Sequence, residues 1–213
     1  MLTIENIEFA YNQANSFKFP DIACLKGDHW LIMGPSGCGK TTLLHLMAGL
    51  LRPTKGTVSV NGIDISSLTQ SQTDQVRGRQ IGIVFQRPHF IQSLTVSENL
   101  RIARYMNGQK LSKQEITELL NKLKIGSKVH SKPNELSQGE LQRLAIARAI
   151  INKPSVILAD EPTSSLDDAH CVDALNLLRQ QAEHTETALL IVTHDQRLLP
   201  FFSNIIQLNS VKQ

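Results

Sequence analysis

Short, densely apolar runs alternate along this chain with segments whose apolar residues recur at helical spacing. Because strands covered on both faces are apolar throughout, the runs predict buried strands of a parallel sheet. They span residues 29–33, 81–85, 155–159 and 188–193. The segments with helical spacing span residues 40–51, 96–105, 113–123, 140–151 and 168–183. This alternation predicts an α/β core, a mostly parallel sheet with helices on both faces.

The first quarter of the chain carries a different pattern. Residues 2–9 alternate apolar and polar positions, with one slip at Glu5-Asn6. Residues 57–65 alternate on either side of Asn61-Gly62, the residue pair that best suits a tight two-residue hairpin turn. These features predict an N-terminal antiparallel β-subdomain.

Three predicted helices begin with Ser or Thr followed three residues later by Glu. This is the capping box, in which the hydroxyl and the carboxylate each bind the other residue's backbone amide. The pairs are Thr95 with Glu98, Ser112 with Glu115, and Ser137 with Glu140. Two of these boxes fall in a stretch with helical signals and no convincing strand. We therefore predict a single domain over residues 1–213, with a core of residues 1–86 and 135–213 and a helical insertion of residues 87–134.

Composition limits the class of protein. The 213 residues are 41% hydrophobic and 19% charged, as in ordinary globular chains, and the formal net charge of +3 is too small to predict a nucleic-acid partner. No apolar run approaches the roughly 18 residues needed to cross a bilayer, and the chain opens without the segments of an export signal. The three cysteines form no CxxC pair and the histidines have no metal-site spacing. We therefore expect a reduced, cytoplasmic protein.

A glycine-rich motif links the predicted strand at 29–33 to the predicted helix at 40–51. It matches the phosphate-binding pattern G-x-x-x-x-G-K-[ST], whose glycines let backbone amides and a helix N-terminus converge on phosphates. Lys40 is expected to reach the β and γ phosphates, and the Thr41 hydroxyl is expected to ligate Mg²⁺. The residues expected to bind the nucleotide here are Gly34, Pro35, Ser36, Gly37, Cys38, Gly39, Lys40, Thr41 and Thr42.

Two carboxylates follow the apolar run at 155–159. Asp160 is expected to hold Mg²⁺, and Glu161 to orient or deprotonate the attacking water. Taken alone, the pair also fits a strand end with a solvated acidic turn, and the phosphate loop upstream favours the catalytic interpretation. Guanine specificity is unsupported, because neither Asn121-Lys122 nor Asn152-Lys153 continues into the guanine-reading motif Asn/Thr-Lys-x-Asp.

Residues 136–140 read LSQGE. By itself this segment predicts a helix cap, although a cap that presents the Ser137 and Gly139 amides at a helix N-terminus is also an anion site. At this point the sequence resembles the ATP-binding cassette, or ABC, family, whose signature has the form LSGGQ. Gln138 replaces the first of the paired glycines and Glu140 replaces the usual Gln. The resemblance extends over almost the whole chain.

The resemblance implies roles for residues outside these motifs. Tyr11 would stack on the adenine ring, and Gln86 would touch both Mg²⁺ and the attacking water. His194 would contact the γ-phosphate and hold the geometry around Glu161. Each of these residues could also have an ordinary structural role. Their positions relative to the other motifs match the family, and this match favours the functional interpretation.

The resemblance also implies a second subunit. Ser137, Gln138 and Gly139 would close over the γ-phosphate held by that subunit, so two cassettes would enclose two ATP molecules head to tail as a homodimer. Ser165-Leu166-Asp167 would be the D-loop, with Asp167 crossing the dimer interface. An Asp just before a helix that starts at residue 168 is also a plausible cap.

These features lead to the expectation of the ATPase subunit of an ABC transporter. It would bind ATP and Mg²⁺, lie peripherally on the inner face of the cell membrane, and drive a separate integral membrane permease. Residues 81–86 and 94–99 look most like the branch that contains lipoprotein-release, macrolide-efflux and cell-division ATPases. A groove for the permease would include Pro88, Phe90, Ile91, Leu94 and Val96, with simple packing of the helical subdomain as the alternative.

Two other functions of an ABC ATPase stay open at this point. One is a membrane-linked ATPase that transmits force or signal without moving a substrate. The other is a soluble ATPase that acts on DNA, chromosomes or ribosomes, although the long coiled coils and basic extensions typical of those proteins are missing here.

Overall fold

The computed structural model describes residues 1–12, 15–164 and 167–209. They form two sheets, one antiparallel and one parallel. The antiparallel sheet contains five strands, which are β1 (Leu2–Asn12), β2 (Asn15–Lys18), β3 (Ile22–Cys24), β5 (Lys55–Val60) and β6 (Ile63–Asp64). The β1 strand pairs with β2, β3 and β5, always antiparallel. The predicted antiparallel subdomain is therefore confirmed.

Two irregularities of this sheet lie where the sequence predicts them. The slip at Glu5-Asn6 is a bulge, since Asn6 has a φ of 52° and the pairing of β1 with β5 shifts register between Glu5 and Glu8. The turn between β5 and β6 consists of Asn61 and Gly62, whose φ values of 50° and 79° are both left-handed. Two such residues match the strand twist in a tight hairpin, and Asn-Gly is the pair that adopts them most readily.

The parallel sheet has the strand order β10-β4-β9-β8-β7, and every neighbouring pair is parallel. Its strands are β4 (His29–Met33), β7 (Ile81–Val84), β8 (Val156–Asp160), β9 (Ala188–Thr193) and β10 (Asn204–Gln207). Every residue of β8 and β9 is buried, as expected for strands covered on both faces. The α/β class predicted from the apolar runs is confirmed.

Six α-helices accompany the sheets in the described part of the chain. They are α1 (Lys40–Met47), α2 (Gln70–Gln80), α3 (Val96–Tyr105), α4 (Lys113–Lys122), α5 (Gln138–Ile150) and α6 (Asp168–His184). Short 3-10 turns span Gly126–Lys128, Pro133–Glu135 and Gln196–Phe201. The α1 helix ends four residues before the predicted end, because Gly49 adopts a φ of 63° and stops it. None of the described helices is both long and apolar enough to span a bilayer.

The α2 helix has no counterpart among the predicted elements. Its sequence is QSQTDQVRGRQ and only Thr73 is buried, so it shows no apolar repeat. Its start is set by a capping box in which Thr69 pairs with Gln72. A helix of this kind is stabilised by its cap and its neighbours rather than by an apolar stripe.

Two hydrophobic clusters cover the two faces of the parallel sheet. In β4, Leu31 belongs to the cluster shared with α3, α4, α5 and α6, whereas Ile32 belongs to the cluster shared with α1 and the antiparallel sheet. This alternation follows the two-residue period of a strand. Phe90 and Val96, both expected in a permease groove, lie in the first cluster instead, where the Arg148 guanidinium sits 4.6 Å from the centre of the Phe90 ring. Burial of these two side chains in the core excludes them from an exposed groove.

Candidate active site

The predicted site residues follow the carboxyl ends of four neighbouring strands. Gly34 follows β4, Gln86 comes two residues after β7, Glu161 follows β8, and His194 follows β9. Asp160 is the last residue of β8. Since parallel strands end at the same edge of a sheet, the topology assembles these residues along one edge, where ligands bind in open α/β sheets.

The loop after β4 leaves the N-terminus of α1 open. Gly37 and Gly39 have φ values of 82° and 97°, and Gly39 is the N-cap of α1. No side chain of the described residues caps this helix. A Cβ on Gly39 would lie 2.7 Å from the Phe17 ring, so this position accepts only glycine without a shift of the ring or the loop. Uncapped amides at the positive end of a helix dipole form an anion site.

The Lys40 side chain crosses this loop. Its ammonium group donates to the carbonyl oxygens of Gly34 at 2.8 Å and Pro35 at 3.0 Å. It also lies 3.9 Å from Oε1 of Glu161, and both side chains are only 8% exposed. An ammonium group bonded to neutral carbonyl oxygens can transfer these hydrogen bonds to phosphate oxygens, whose negative charge makes the new bonds stronger.

Asp160 and Thr41 meet at the same edge. The Thr41 hydroxyl donates to Oδ2 of Asp160 at 3.0 Å. The other carboxylate oxygen, Oδ1, is buried and has no hydrogen-bond partner among the described residues. Burial raises the pKa of Asp160, with the Thr41 hydrogen bond acting in the opposite direction. A hydroxyl beside an unpartnered carboxylate oxygen is a donor set of the type that Mg²⁺ prefers.

Glu161 is held by donors on both carboxylate oxygens. Thr193 Oγ1 donates to Oε2 at 2.7 Å, and the His194 amide donates to Oε1 at 3.1 Å. Nδ1 of His194 donates to the same Oε1 at 2.7 Å. Glu161 also has a φ of 47°, a left-handed conformation that costs a non-glycine residue about 1–2 kcal/mol. Three hydrogen bonds to a strained residue indicate that its side-chain position is tightly specified.

Three polar residues of this region, Thr163, Asp195 and Arg197, have no counterpart among the predicted site residues. Thr163 is fully buried and donates to Asp195 Oδ2 at 2.9 Å, and Arg197 binds both oxygens of the same carboxylate. Hydrogen bonding from Arg197 lowers the pKa of Asp195 to about 2. The network ties the segment after Glu161 to the segment after His194. Thr163 and Asp195 lie 32 positions apart, so no local spacing in the sequence predicts their contact.

Tyr11 lies beside the start of α1. Its hydroxyl is 3.3 Å from Thr42 Oγ1, and its ring packs edge-on against Phe9 with ring centres 4.8 Å apart. A second edge-on contact with Phe17 has a centre-to-centre distance of 6.4 Å. The residue is 56% exposed, so a ring face is available to a ligand next to the phosphate loop.

Two further predicted residues, Gln86 and Asp167, lie at the surface. Gln86 is exposed and makes no hydrogen bond with any described residue. Asp167 is exposed at the start of α6, where its carbonyl accepts the Cys171 amide at 2.8 Å. Ser165 and Leu166, the other predicted D-loop residues, lie outside the described residues.

The predicted signature segment forms the N-terminal cap of α5. Ser137 Oγ accepts the Glu140 amide at 3.3 Å, and Glu140 Oε2 accepts the Ser137 amide at 2.8 Å. Ser137 and Gln138 are exposed, and Gly139 is half-buried. Within the described part of the chain, no hydrogen bond or ion pair links this cap to the phosphate loop. The predicted capping box is confirmed.

The parallel sheet, the glycine loop and the carboxylates at its edge define a P-loop nucleoside-triphosphatase. The family model described as ABC transporter matches residues 19–164 of this chain. The lipoprotein-releasing system ATP-binding protein LolD of Legionella pneumophila strain Lens is 35% identical over 215 residues, covering 98% of this chain and 95% of that protein. LolD of Xanthomonas campestris pv. campestris strain 8004 is 38% identical over 194 residues, covering 90% and 81%.

Solved structures agree with these sequence matches. The dimeric post-hydrolysis structure of the ATP-binding cassette MJ0796 bound to ADP and Pi has a TM-score of 0.89 at 31% identity, covering all of this chain and 97% of that one. A second dimeric structure of MJ0796, a bacterial ABC transporter cassette, has a TM-score of 0.88 at 32% identity. The chain belongs to the ABC transporter family. It is the subunit type that binds and hydrolyses ATP for a transporter.

Proposed function

We propose that this chain is the ATPase subunit of a lipoprotein-releasing transporter, and that two copies close head to tail over two ATP molecules to drive a separate membrane permease. The curated relatives carry the name of that system at 35–38% identity. The observation that carries the ATPase chemistry is the Glu161 carboxylate, fixed by Thr193 and His194 next to Lys40.

In this proposal Glu161 takes the proton of the attacking water as γ-phosphate transfer begins. His194 donates from Nδ1 to Glu161, so a ring that also carries a proton on Nε2 would donate from that atom to the γ-phosphate. Lys40 exchanges its carbonyl contacts for the β and γ phosphate oxygens. Tyr11 offers its exposed ring face to adenine, a contact worth about 1–3 kcal/mol in nucleic-acid sites.

Mg²⁺ fits the donor set at Thr41 and Asp160, because the Oδ1 atom of Asp160 is buried without a partner. We assign these two residues and Gln86 as the groups that hold it. When bound, the ion would neutralise phosphate charge. The exposed Gln86 side chain has the freedom to turn toward the ion or toward the attacking water.

The separation of the two phosphate-binding motifs supports the dimer. Ser137 and Gly139 lie on a cap that no hydrogen bond or ion pair of the described residues links to the phosphate loop, so we assign them, with Gln138, to the γ-phosphate of the second copy. Asp167 is exposed, and we assign it to the same interface. The dimeric MJ0796 structures provide the precedent.

We place the permease in a groove of about 800 Å³ between α2, the end of α3 and α5. Phe85 and Met106 line it, and Met106 is 79% exposed. This contact would hold the protein peripherally at the inner face of the membrane. We assign residues 1–86 and 135–213 to the ATP-binding core and residues 87–134 to the helical insertion that forms part of the groove.

The first test uses Glu161→Gln. We expect this variant to bind ATP with near-normal affinity, to lose at least about 100-fold in turnover, and to accumulate an ATP-bound dimer. Gel filtration with and without ATP and a phosphate-release assay measure these properties. Full turnover in the variant would exclude Glu161 as the catalytic carboxylate.

The second test separates the trans role of the signature from simple capping. Ser137→Arg protein and Lys40→Ala protein should each be inactive alone. Mixed, they form a heterodimer with one intact composite site, and ATPase activity should reappear. If activity does not return although the heterodimer forms, Ser137 acts only within its own chain.

A further inference from the structure

The signature cap carries a negative charge where the proposed dimer brings a phosphate. Glu140 lies in the first turn of α5, one helical turn from Ser137. The backbone hydrogen bond from Ser137 lowers the pKa of Glu140, so its carboxylate is ionised at neutral pH. A γ-phosphate approaching the Ser137 hydroxyl would therefore meet a like charge at the same helix terminus.

Lys128 lies against this carboxylate. Its ammonium nitrogen is 3.4 Å from Glu140 Oε1, while Oε2 is occupied by the Ser137 amide. The two side chains are 33% and 27% exposed, so solvent screens the pair less than it screens a fully exposed pair. The turn around Lys128 is fixed by two backbone hydrogen bonds, from its amide to Ile125 and from Ser131 to its carbonyl.

We propose that Lys128 is a positioning residue for the nucleotide bound by the second copy: it neutralises Glu140 and keeps that carboxylate on the cap, so that the N-terminus of α5 accepts a phosphate. This role rests on the proposed head-to-tail dimer. Lys128 itself need not touch the nucleotide, because its effect passes through Glu140.

The chain contains a neutral version of the same cap. At the start of α2, Gln72 Oε1 accepts the Thr69 amide at 3.0 Å and the Thr69 hydroxyl at 2.8 Å. A glutamine can therefore complete this box without a charge. Glu140→Gln should keep the cap and remove the repulsion, and Lys128 should then become dispensable.

The experiment measures the ATP concentration at half-maximal dimer formation, in the Glu161→Gln background that holds the dimer. Lys128→Ala should raise this concentration roughly three- to tenfold. Lys128→Arg, which keeps the charge, should stay within about twofold of the parent. The matched control is Lys122→Ala, which removes an exposed lysine with no ion pair among the described residues. It should also stay within about twofold.

Rescue by Glu140→Gln decides the proposal. The Lys128→Ala, Glu140→Gln double variant should dimerise at the same ATP concentration as Glu140→Gln alone. An unrescued defect means that Lys128 acts through another contact, and equal behaviour of the Lys128→Ala and Lys122→Ala variants means that it has no role. Either result overturns the proposal.

Melting temperatures of all variants identify a defect of folding. If Ser137→Arg fails to block dimer formation, the proposed function itself fails, and this role of Lys128 with it.

Discussion

The N-termini of α1 and α5 are both expected to meet phosphate, yet they are built in opposite ways. At α1 the N-cap is Gly39, the first turn contains no acidic residue, and no described side chain caps the helix. At α5 the N-cap is Ser137, and Glu140 completes a capping box. One terminus leaves its amides open, whereas the other satisfies two of them within its own chain.

In the proposed function, this difference divides the binding of a nucleotide between the two ends. The open end of α1 has Lys40 beside it and would gain its missing hydrogen bonds from the phosphates, so we expect it to bind the nucleotide within its own subunit. The closed end of α5 is stable by itself and presents the Ser137 hydroxyl on the surface. A preformed surface of this kind suits a contact that is made and broken as two subunits close and open.

The largest effect is expected when a side chain fills the open N-terminus of α1. Gly39→Ala places a Cβ 2.7 Å from the Phe17 ring in a backbone conformation with a φ of 97°. We expect a loss of about 2–4 kcal/mol in the free energy of unfolding, from left-handed strain and overpacking together. Displacement of the loop should lower ATP turnover by about 100-fold. Chemical denaturation and a phosphate-release assay measure both.

Gly62→Ala is the matched control for this variant. Gly62 also has a left-handed φ, of 79°, but nothing lies within 4 Å of a Cβ built on it. Only the strain of about 1–2 kcal/mol should remain, and turnover should be unchanged because the hairpin is remote from the phosphate loop. Equal losses of turnover in the two variants would show that the open terminus has no special role.

The sequence predicts the parts of this site that depend on local spacing. The phosphate loop, the carboxylates after β8 and the cap at Ser137 are each contained in a few consecutive residues, and each lies at the predicted end of a strand or helix. The chemistry of each motif requires its residues at that spacing, so the motif in the sequence predicts the local geometry of the site.

The parts that were missed depend on tertiary contacts. Thr193 ends an apolar strand and reads as an ordinary β-former, but its hydroxyl binds a carboxylate 32 residues away. Thr163 and Asp195 form a second pair with the same separation. Phe90 and Val96 look like exposed groove residues in sequence and are buried, because periodicity shows an apolar face without showing what covers it.

Alanine substitutions at the N-caps should have a smaller effect, and they distinguish helix capping from phosphate binding at α5. The helices α3, α4 and α5 begin with equivalent boxes at Thr95, Ser112 and Ser137. Replacing each of these residues by Ala should cost about 1 kcal/mol in the free energy of unfolding. Only Ser137→Ala should also lower ATPase activity, by about tenfold, because only this hydroxyl would donate to a phosphate. A similar loss of activity in all three variants would make the signature a cap and nothing more.

The smallest effect is a pH dependence present at α5 and absent from α1. The pKa of Glu140 is lowered, chiefly by the Ser137 amide. A depressed pKa stabilises the fold fully above the unfolded value of about 4.3, and this contribution is lost as the pH falls through the folded value. Wild type should therefore exceed Glu140→Gln by about 0.3–1 kcal/mol near pH 7, and the difference should shrink below about pH 4.5.

The α2 helix allows the reverse experiment. Its box uses Gln72, so Gln72→Glu should introduce at α2 the acid-sensitive stability that Glu140→Gln removes from α5. Urea denaturation from pH 3.5 to 7 measures both differences in stability against wild type. Each variant shares its other carboxylates with wild type, so their contributions cancel in the difference. A pH-independent difference for either variant would mean that the charge of the box residue does not interact with the helix terminus. The contrast between the two phosphate-facing ends would then lie in their hydrogen bonds alone.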